Sequence, residues 1–250
     1  MKIFLIIFLV IIILISLFFI VVVDAKLLFW YIVDKKNIRY KVVREFTNKK
    51  QKILILGTLH YMHHNLPNYS FYHLKAVLEN VKPDLLLIES RQEEINIGNL
   101  ADGPLEMFYL HMIAKELNIP VRGVDWFSFN ETKPGTTNKL RDKVITENIM
   151  KESKEYTNIL VAIGATHMLV ESKRLTKIGY DRQKLTRTQL DSLFETKDTT
   201  FSFPDNTREY IKFRIERETA ALTTRELPKK WKEVLENSIK SLGIFINKLN

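Results

Sequence analysis

Two tetrads of the form Gly-x-x-His carry the most specific chemistry in the chain: Gly57-Thr58-Leu59-His60 and Gly164-Ala165-Thr166-His167. Each follows a short aliphatic run, Ile53 to Leu56 in the first case and Ile159 to Ile163 in the second. Two further runs, Leu85 to Ile88 and Val121 to Val124, are followed at once by Glu89 and Asp125. With eight glycines and six histidines in 250 residues, about 0.2 Gly-x-x-His pairs are expected by chance, so two of them after buried strands call for a positional explanation. Two imidazoles and two carboxylates form a donor set suited to zinc, manganese, cobalt or iron(II). A divalent ion held by His60, Glu89, Asp125 and His167 lowers the pKa of a bound water, and a carboxylate left free by ligation acts as general base. Arg91 and Arg141 offer positive charge for a substrate carboxylate or an oxyanion.

Other arrangements compete with this reading. A histidine after a strand is often a capping residue, and Asp125 has the chemistry of a helix N-cap. His60 and His64 are four apart, but Tyr61 stands where a His-Glu-x-x-His protease carries its base, and Asn65 with Pro67 makes the stretch a loop. His63 and His64 are candidates for substrate binding, His73 and His111 fall within helical patterns, and Glu93 with Glu94 reads as a solvated charge pair. No Gly-x-Ser-x-Gly elbow, phosphate loop or dinucleotide fingerprint occurs.

The four aliphatic runs are four or five residues long and lack polar alternation, as expected of strands covered on both faces. Between them lie helical patterns. Phe71, Leu74, Val77, Leu78 and Val81 predict one helix, ended by Pro83-Asp84. Asp102-Gly103-Pro104 opens a second, with Pro104 near its first position and Met107, Leu110, Ile113, Ala114 and Leu117 as its buried stripe. Asn138 to about Tyr156 is a third, and His167 to Ile178, closed by Gly179, a fourth. Ile38 to Phe46 reads as an additional strand. The alternation predicts an α/β domain with a mainly parallel sheet and flanking helices, whose ligand crevice lies at the carboxyl ends of the strands. A final amphipathic helix starts near Pro228 after an irregular stretch, Thr196 to Asn206, and residues 187–250 are expected to form a helical C-terminal extension.

Composition bounds the setting. The chain has no cysteine, which excludes disulfides, thiolate metal sites and a cysteine nucleophile. Ile3 to Val23 is apolar except for Ser16, and roughly 20 such residues span a bilayer. Residues 1–25 are therefore expected to be a single-pass N-terminal transmembrane helix, and 26–250 one tethered domain. A cleaved signal peptide is the competing reading, with Val23 and Ala25 suiting a cleavage site. Phe29, Trp30 and Tyr31 read instead as an interfacial belt behind an uncleaved anchor. The side of the membrane stays open. The net charge of +9 is explained by anionic lipid, because the basic residues of the tail, from Arg208 onward, are interleaved with acidic ones and do not form a phosphate-tracking stripe. No nucleic-acid partner is expected.

The paired tetrads with Glu89 between them resemble the TraB/PrgY/TIKI family, also called TraB/GumN. Val121-Arg122-Gly123-Val124-Asp125 is similar to that family's third strand and its acidic residue, Leu140-Arg141-Asp142 to a helix start, and Gly179-Tyr180 to the strand after the second tetrad. The resemblance covers about Lys52 to Thr186. Asp125 stands where the family usually has Glu, and Met168-Leu169-Val170 lacks a glycine common there. The resemblance implies a fold related to erythromycin esterases and haem-binding ChaN-like proteins. It also implies a membrane-tethered, divalent-metal-dependent hydrolase, metalloprotease-like, acting on a peptide or another amide or ester. The alternative is a non-catalytic protein that sequesters a peptide or haem in the same crevice.

Overall fold

The computed structural model describes residues 37–64, 66–96, 103–126, 139–196, 207–224 and 226–247. The expected membrane segment and aromatic belt lie outside the described residues, as do Asp102, Asn138 and most of the irregular stretch before Thr207. Among the described residues no helix is long and apolar enough to cross a membrane.

Each aliphatic run is a strand. In chain order the sheet comprises β1 (Val43–Thr47), β2 (Lys52–Thr58), β3 (Leu85–Arg91), β4 (Val121–Asp125), β5 (Asn158–Gly164) and β6 (Asp181–Gln183), arranged spatially as β4-β3-β5-β2-β1-β6. β4, β3, β5 and β2 run parallel to one another, whereas β1 and β6 add antiparallel pairings at one edge. The sheet is therefore mixed: the expected parallel part is its four-stranded body, and the antiparallel pairings are confined to one edge. The antiparallel edge arises because a turn of only four residues, Asn48 to Gln51, joins β1 to β2, too few for a crossover.

The helices are α1 (Ile38–Lys41), α2 (Phe71–Val81), α3 (Gln92–Asn96), α4 (Leu105–Glu116), α5 (Lys139–Glu152), α6 (Ala165–Lys177), α7 (Arg187–Phe194), α8 (Thr207–Thr224) and α9 (Lys229–Ile246). Alternate strand residues feed two cores. Leu54, Leu56, Leu86, Ile88, Leu160 and Ala162 pack with α2, α4 and the C-terminal helices. Ile53, Ile55, Leu85, Leu87, Ile159 and Val161 pack with α5 and α6. Helices thus cover both faces, and the strands need no polar side.

Four boundaries differ from expectation, the simplest being α5, which ends at Glu152 rather than near Tyr156. Ile38 to Lys41 is a helical turn rather than strand, because Ile38 and Val42 are four apart and both reach the core from a turn closed by Tyr40 N–H to Asn37 C=O. The fourth helix begins at Ala165, two residues early, so His167 sits inside its first turn. Leu117 is 42% exposed, since the helix ends at Glu116 and turns it outward.

Gly123 lies where α3 crosses β4. A Cβ there would meet the backbone of Ser90, Gln92 and Arg91 at 2.4, 2.7 and 2.8 Å, and backbone cannot step aside as a side chain can. Gly123→Ala is expected to destabilise the protein by about 1–3 kcal/mol, read as a lower urea midpoint; an unchanged midpoint contradicts this packing.

Candidate active site

The position of β5 creates the site. It inserts between β3 and β2, so His167, in the first turn of α6, falls between Glu89 near the end of β3 and His60, which opens a short 3-10 turn after β2. A register shift in the β3–β4 pairing between Ile88 and Arg91 interrupts strand alternation at Glu89. Gly164, directly beside it on β5, leaves the room. A side chain at Gly164 would start 3.1 Å from Glu89 Oε2 and 3.2 Å from His60 Nε2. The tetrad glycines serve by absence of bulk, for neither has a positive φ; the left-handed residue is His60 itself, at φ +51°. A non-glycine residue there is uncommon and points to a conformation imposed from outside.

His63 imposes it. Its Nδ1 donates to the Tyr69 carbonyl at 2.8 Å and its Nε2 accepts from Leu59 N–H at 2.9 Å, which fixes the neutral Nδ1–H tautomer. Burial lowers its pKa in keeping with that state. Tyr69 in turn donates to the Gly57 carbonyl. His63 is thus a buried brace of the His60 turn and not the substrate ligand it was a candidate to be. The side chain of His64 lies outside the described ones. His73 caps α2, accepting the Ser70 N–H at Nδ1, and His111 is half-buried on α4.

Both tetrad histidines are anchored in the same way. His60 Nδ1 lies 2.9 Å from Glu106 Oε1, and His167 Nδ1 lies 2.7 Å from Asp142 Oδ1. His167 thereby turns its Nε2 toward Glu89, 3.5 Å from Oε1, and the Nε2 edge of the His60 ring lies against Gly164, on the same spot that the Glu89 carboxylate borders. Glu89 is buried, and its oxygens also accept from Arg141 Nη2 at 2.8 Å and Gly164 N–H at 2.5 Å. Asp125 receives Arg141 Nε and Nη2, both at 2.8 Å, and the Trp126 N–H. One guanidinium so bridges two carboxylates from adjacent strands.

The charges follow this geometry. Burial opposes ionisation of Glu89, but His167, Arg141, His60 and the Gly164 N–H together hold its carboxyl below the usual range. Glu106 is likewise opposed by burial and brought down to about 2, chiefly by His60. Burial opposes protonation of both imidazoles. Glu106 nevertheless lifts His60 to about 8, and Glu89 with Asp142 raises His167.

Of the expected site residues, His60, Glu89 and His167 come together, and Arg141 joins them through Glu89. Asp125 lies one strand further out with both oxygens on Arg141. Arg91 bonds Glu94 at 2.6 Å, and Glu94 is buried rather than part of a solvated pair, because α8 brings Arg217 to within 3.6 Å of it. Among the described residues no group of three His, Asp or Glu is arranged to hold a cation. The donor types nevertheless fit one: metal-binding histidines characteristically rest their second nitrogen on a carboxylate, as both do here.

Sequence reasoning missed Glu106 and Asp142 as site residues. The available signal was the need of each histidine for an Nδ1 partner, met in both cases by an acid in the first turn of a helix, one that follows His60 and one that precedes His167. No protein-family model, characterised protein or solved structure matches the chain.

The His60–Glu106 pair sets a pH dependence. The folded protein holds the His60 proton more tightly than the ordinary value of 6.5. Its stabilisation is therefore full below pH 6.5 and lost as pH rises through about 8, with His167 adding the same sign. The His60 side chain is 47% exposed, so solvent screening limits its share to about 1 kcal/mol. Urea unfolding of chelator-treated protein at pH 6 and pH 9 is expected to show wild type losing more stability than Glu106→Gln; equal losses contradict the assignment.

Proposed function

We propose that the crevice is the active site of a membrane-tethered hydrolase that transfers an acyl group from a peptide, or another amide or ester, to water. The observation supporting this is the convergence of two carboxylate-anchored imidazoles on one buried glutamate at the carboxyl ends of three adjacent strands. The resemblance of both tetrads to the TraB/GumN family supports the same reading.

His60 Nε2, His167 Nε2 and a Glu89 oxygen are the groups that would hold a divalent cation. When bound, such an ion supplies Lewis acidity and lowers the pKa of water. Glu106 and Asp142 fix the ring orientations and tautomers. Glu89 holds the attacking water by hydrogen bond, takes its proton, and returns it to the leaving nitrogen or oxygen as the carbon–nitrogen or carbon–oxygen bond breaks. Arg141, kept in place by Asp125, provides fixed positive charge where the tetrahedral oxyanion develops. Asp125 thereby acts through Arg141, a change from the ligand role expected of it. Arg91, engaged with Glu94, is assigned to holding α3.

A second reading, a binder that captures a peptide or haem without turning it over, is favoured by one feature: Glu89 already has partners on both oxygens. The two readings separate in one series. For a hydrolase, purified full chain hydrolyses members of a peptide and ester panel. His60→Ala and His167→Ala each abolish that turnover, and Glu106→Gln and Asp142→Asn weaken divalent-ion affinity about 10–100-fold. Full turnover in either histidine variant contradicts the proposal. A Soret band on haem addition, lost in the same variants and accompanied by no hydrolysis, establishes the binder.

A further inference from the structure

The direction of β1 fixes where the chain enters the domain. β1 is antiparallel to β2, with Val43 opposite Leu56 and Thr47 opposite Lys52. Asn37 to Val42 therefore lie at the carboxyl end of β2, the same end of the sheet as His60. The Gly57 N–H bonds the Val42 carbonyl at 2.7 Å, one residue before Thr58 and three before the histidine.

This entry segment is firmly docked. Arg187 donates to Asn37 Oδ1, and Tyr40 donates to Asp191. The Tyr40 ring meets the Arg39 and Arg187 guanidinium carbons at 4.8 and 4.3 Å. Upstream, only residues 32–36 separate the aromatic triplet Phe29-Trp30-Tyr31 from Asn37. Six Cα steps from Tyr31 to Asn37 reach at most roughly 20 Å when fully extended. The seven-residue strand β2 is itself about 23 Å long. A tether no longer than the sheet keeps the entry end nearer the bilayer than the opposite end.

We infer that the carboxyl end of the sheet, with the candidate crevice, faces the bilayer that anchors the chain, so that the site draws its substrate from the layer of solution at the membrane surface. This rests on residues 3–23 being the anchor and on the crevice being the site. The surface at the entry suits anionic headgroups: Arg39, Lys41, Arg44, Lys184 and Arg187 surround it, against Glu45 and Asp191. Lysines at 49, 50 and 52 sit at the far end, so charge alone does not choose the end; the point of entry does. The partner is the lipid surface, and the substrate class is one held there, such as the membrane-proximal stretch of an anchored polypeptide.

The absence of cysteine allows a single reporter to be placed at will. Leu140, 53% exposed, lies at the start of α5 beside Arg141 at the crevice end, and Lys50 lies in the β1–β2 turn at the other. Full chain carrying Leu140→Cys or Lys50→Cys with a donor dye is reconstituted in vesicles of phosphatidylcholine with phosphatidylglycerol and an acceptor lipid. Energy transfer at least twofold greater from position 140 than from position 50 is expected. Equal transfer, or greater transfer from position 50, overturns the orientation, and failure of the full chain to insert overturns it with the anchor. None of these readouts requires hydrolysis, so failure of the hydrolase reading is seen separately.

Discussion

A carboxylate with almost no solvent exposure persists only if its charge is met from several sides, and Glu89 is met from four. Arg141 comes from α5, the Gly164 N–H from the end of β5, His167 from α6 and His60 from the loop after β2. Each donor belongs to a different element. The cluster is therefore a fastening between the strands and the helices above them as well as a candidate reaction centre. Losing any one partner leaves a buried charge short of compensation, which costs more than the lost contact alone.

The same reasoning explains the layout around it. Arg141 is shared with Asp125, so the outermost parallel strand is tied to its neighbour by the residue that stabilises Glu89. His60 and His167 each carry a private acid on the far side of the ring, and the acid decides which nitrogen faces inward. His63 performs comparable work on the backbone, holding a left-handed histidine by two hydrogen bonds to main chain. The small residues make the approach possible: bulk at Gly164 would occupy the space where the His60 ring and the Glu89 carboxylate meet.

Much of this was legible in the sequence, because the signals were local. Four undivided aliphatic runs fix four strands, and residues directly after such runs must lie at one sheet edge; His60, Glu89, Asp125 and His167 follow from that alone. Pairing order was not legible, since nothing local states that β5 inserts between β2 and β3. That insertion sets His167 between Glu89 and His60 and leaves Asp125 on the outermost strand, joined to Glu89 through Arg141. The antiparallel edge was only half legible: the short turn after Thr47 dictates the direction of β1 against β2, whereas nothing local in Asp181 to Gln183 states that β6 pairs with β1. Ile38 and Val42 satisfy a strand and a helical turn equally, and tertiary packing decides. Glu106 and Asp142 looked like ordinary first-turn acids, and only the fold brings a histidine to each.

The proposed site requires His60 and His167 to present their Nε2 atoms to a common point while their Nδ1 atoms stay on Glu106 and Asp142. Long-range proton–nitrogen correlation spectra of the imidazoles during a zinc titration test it most directly. The Nε2 resonances of both histidines are expected to shift together at one equivalent of zinc, while both Nδ1 atoms remain protonated. Resonances that do not respond, or a response from one histidine alone, would contradict it.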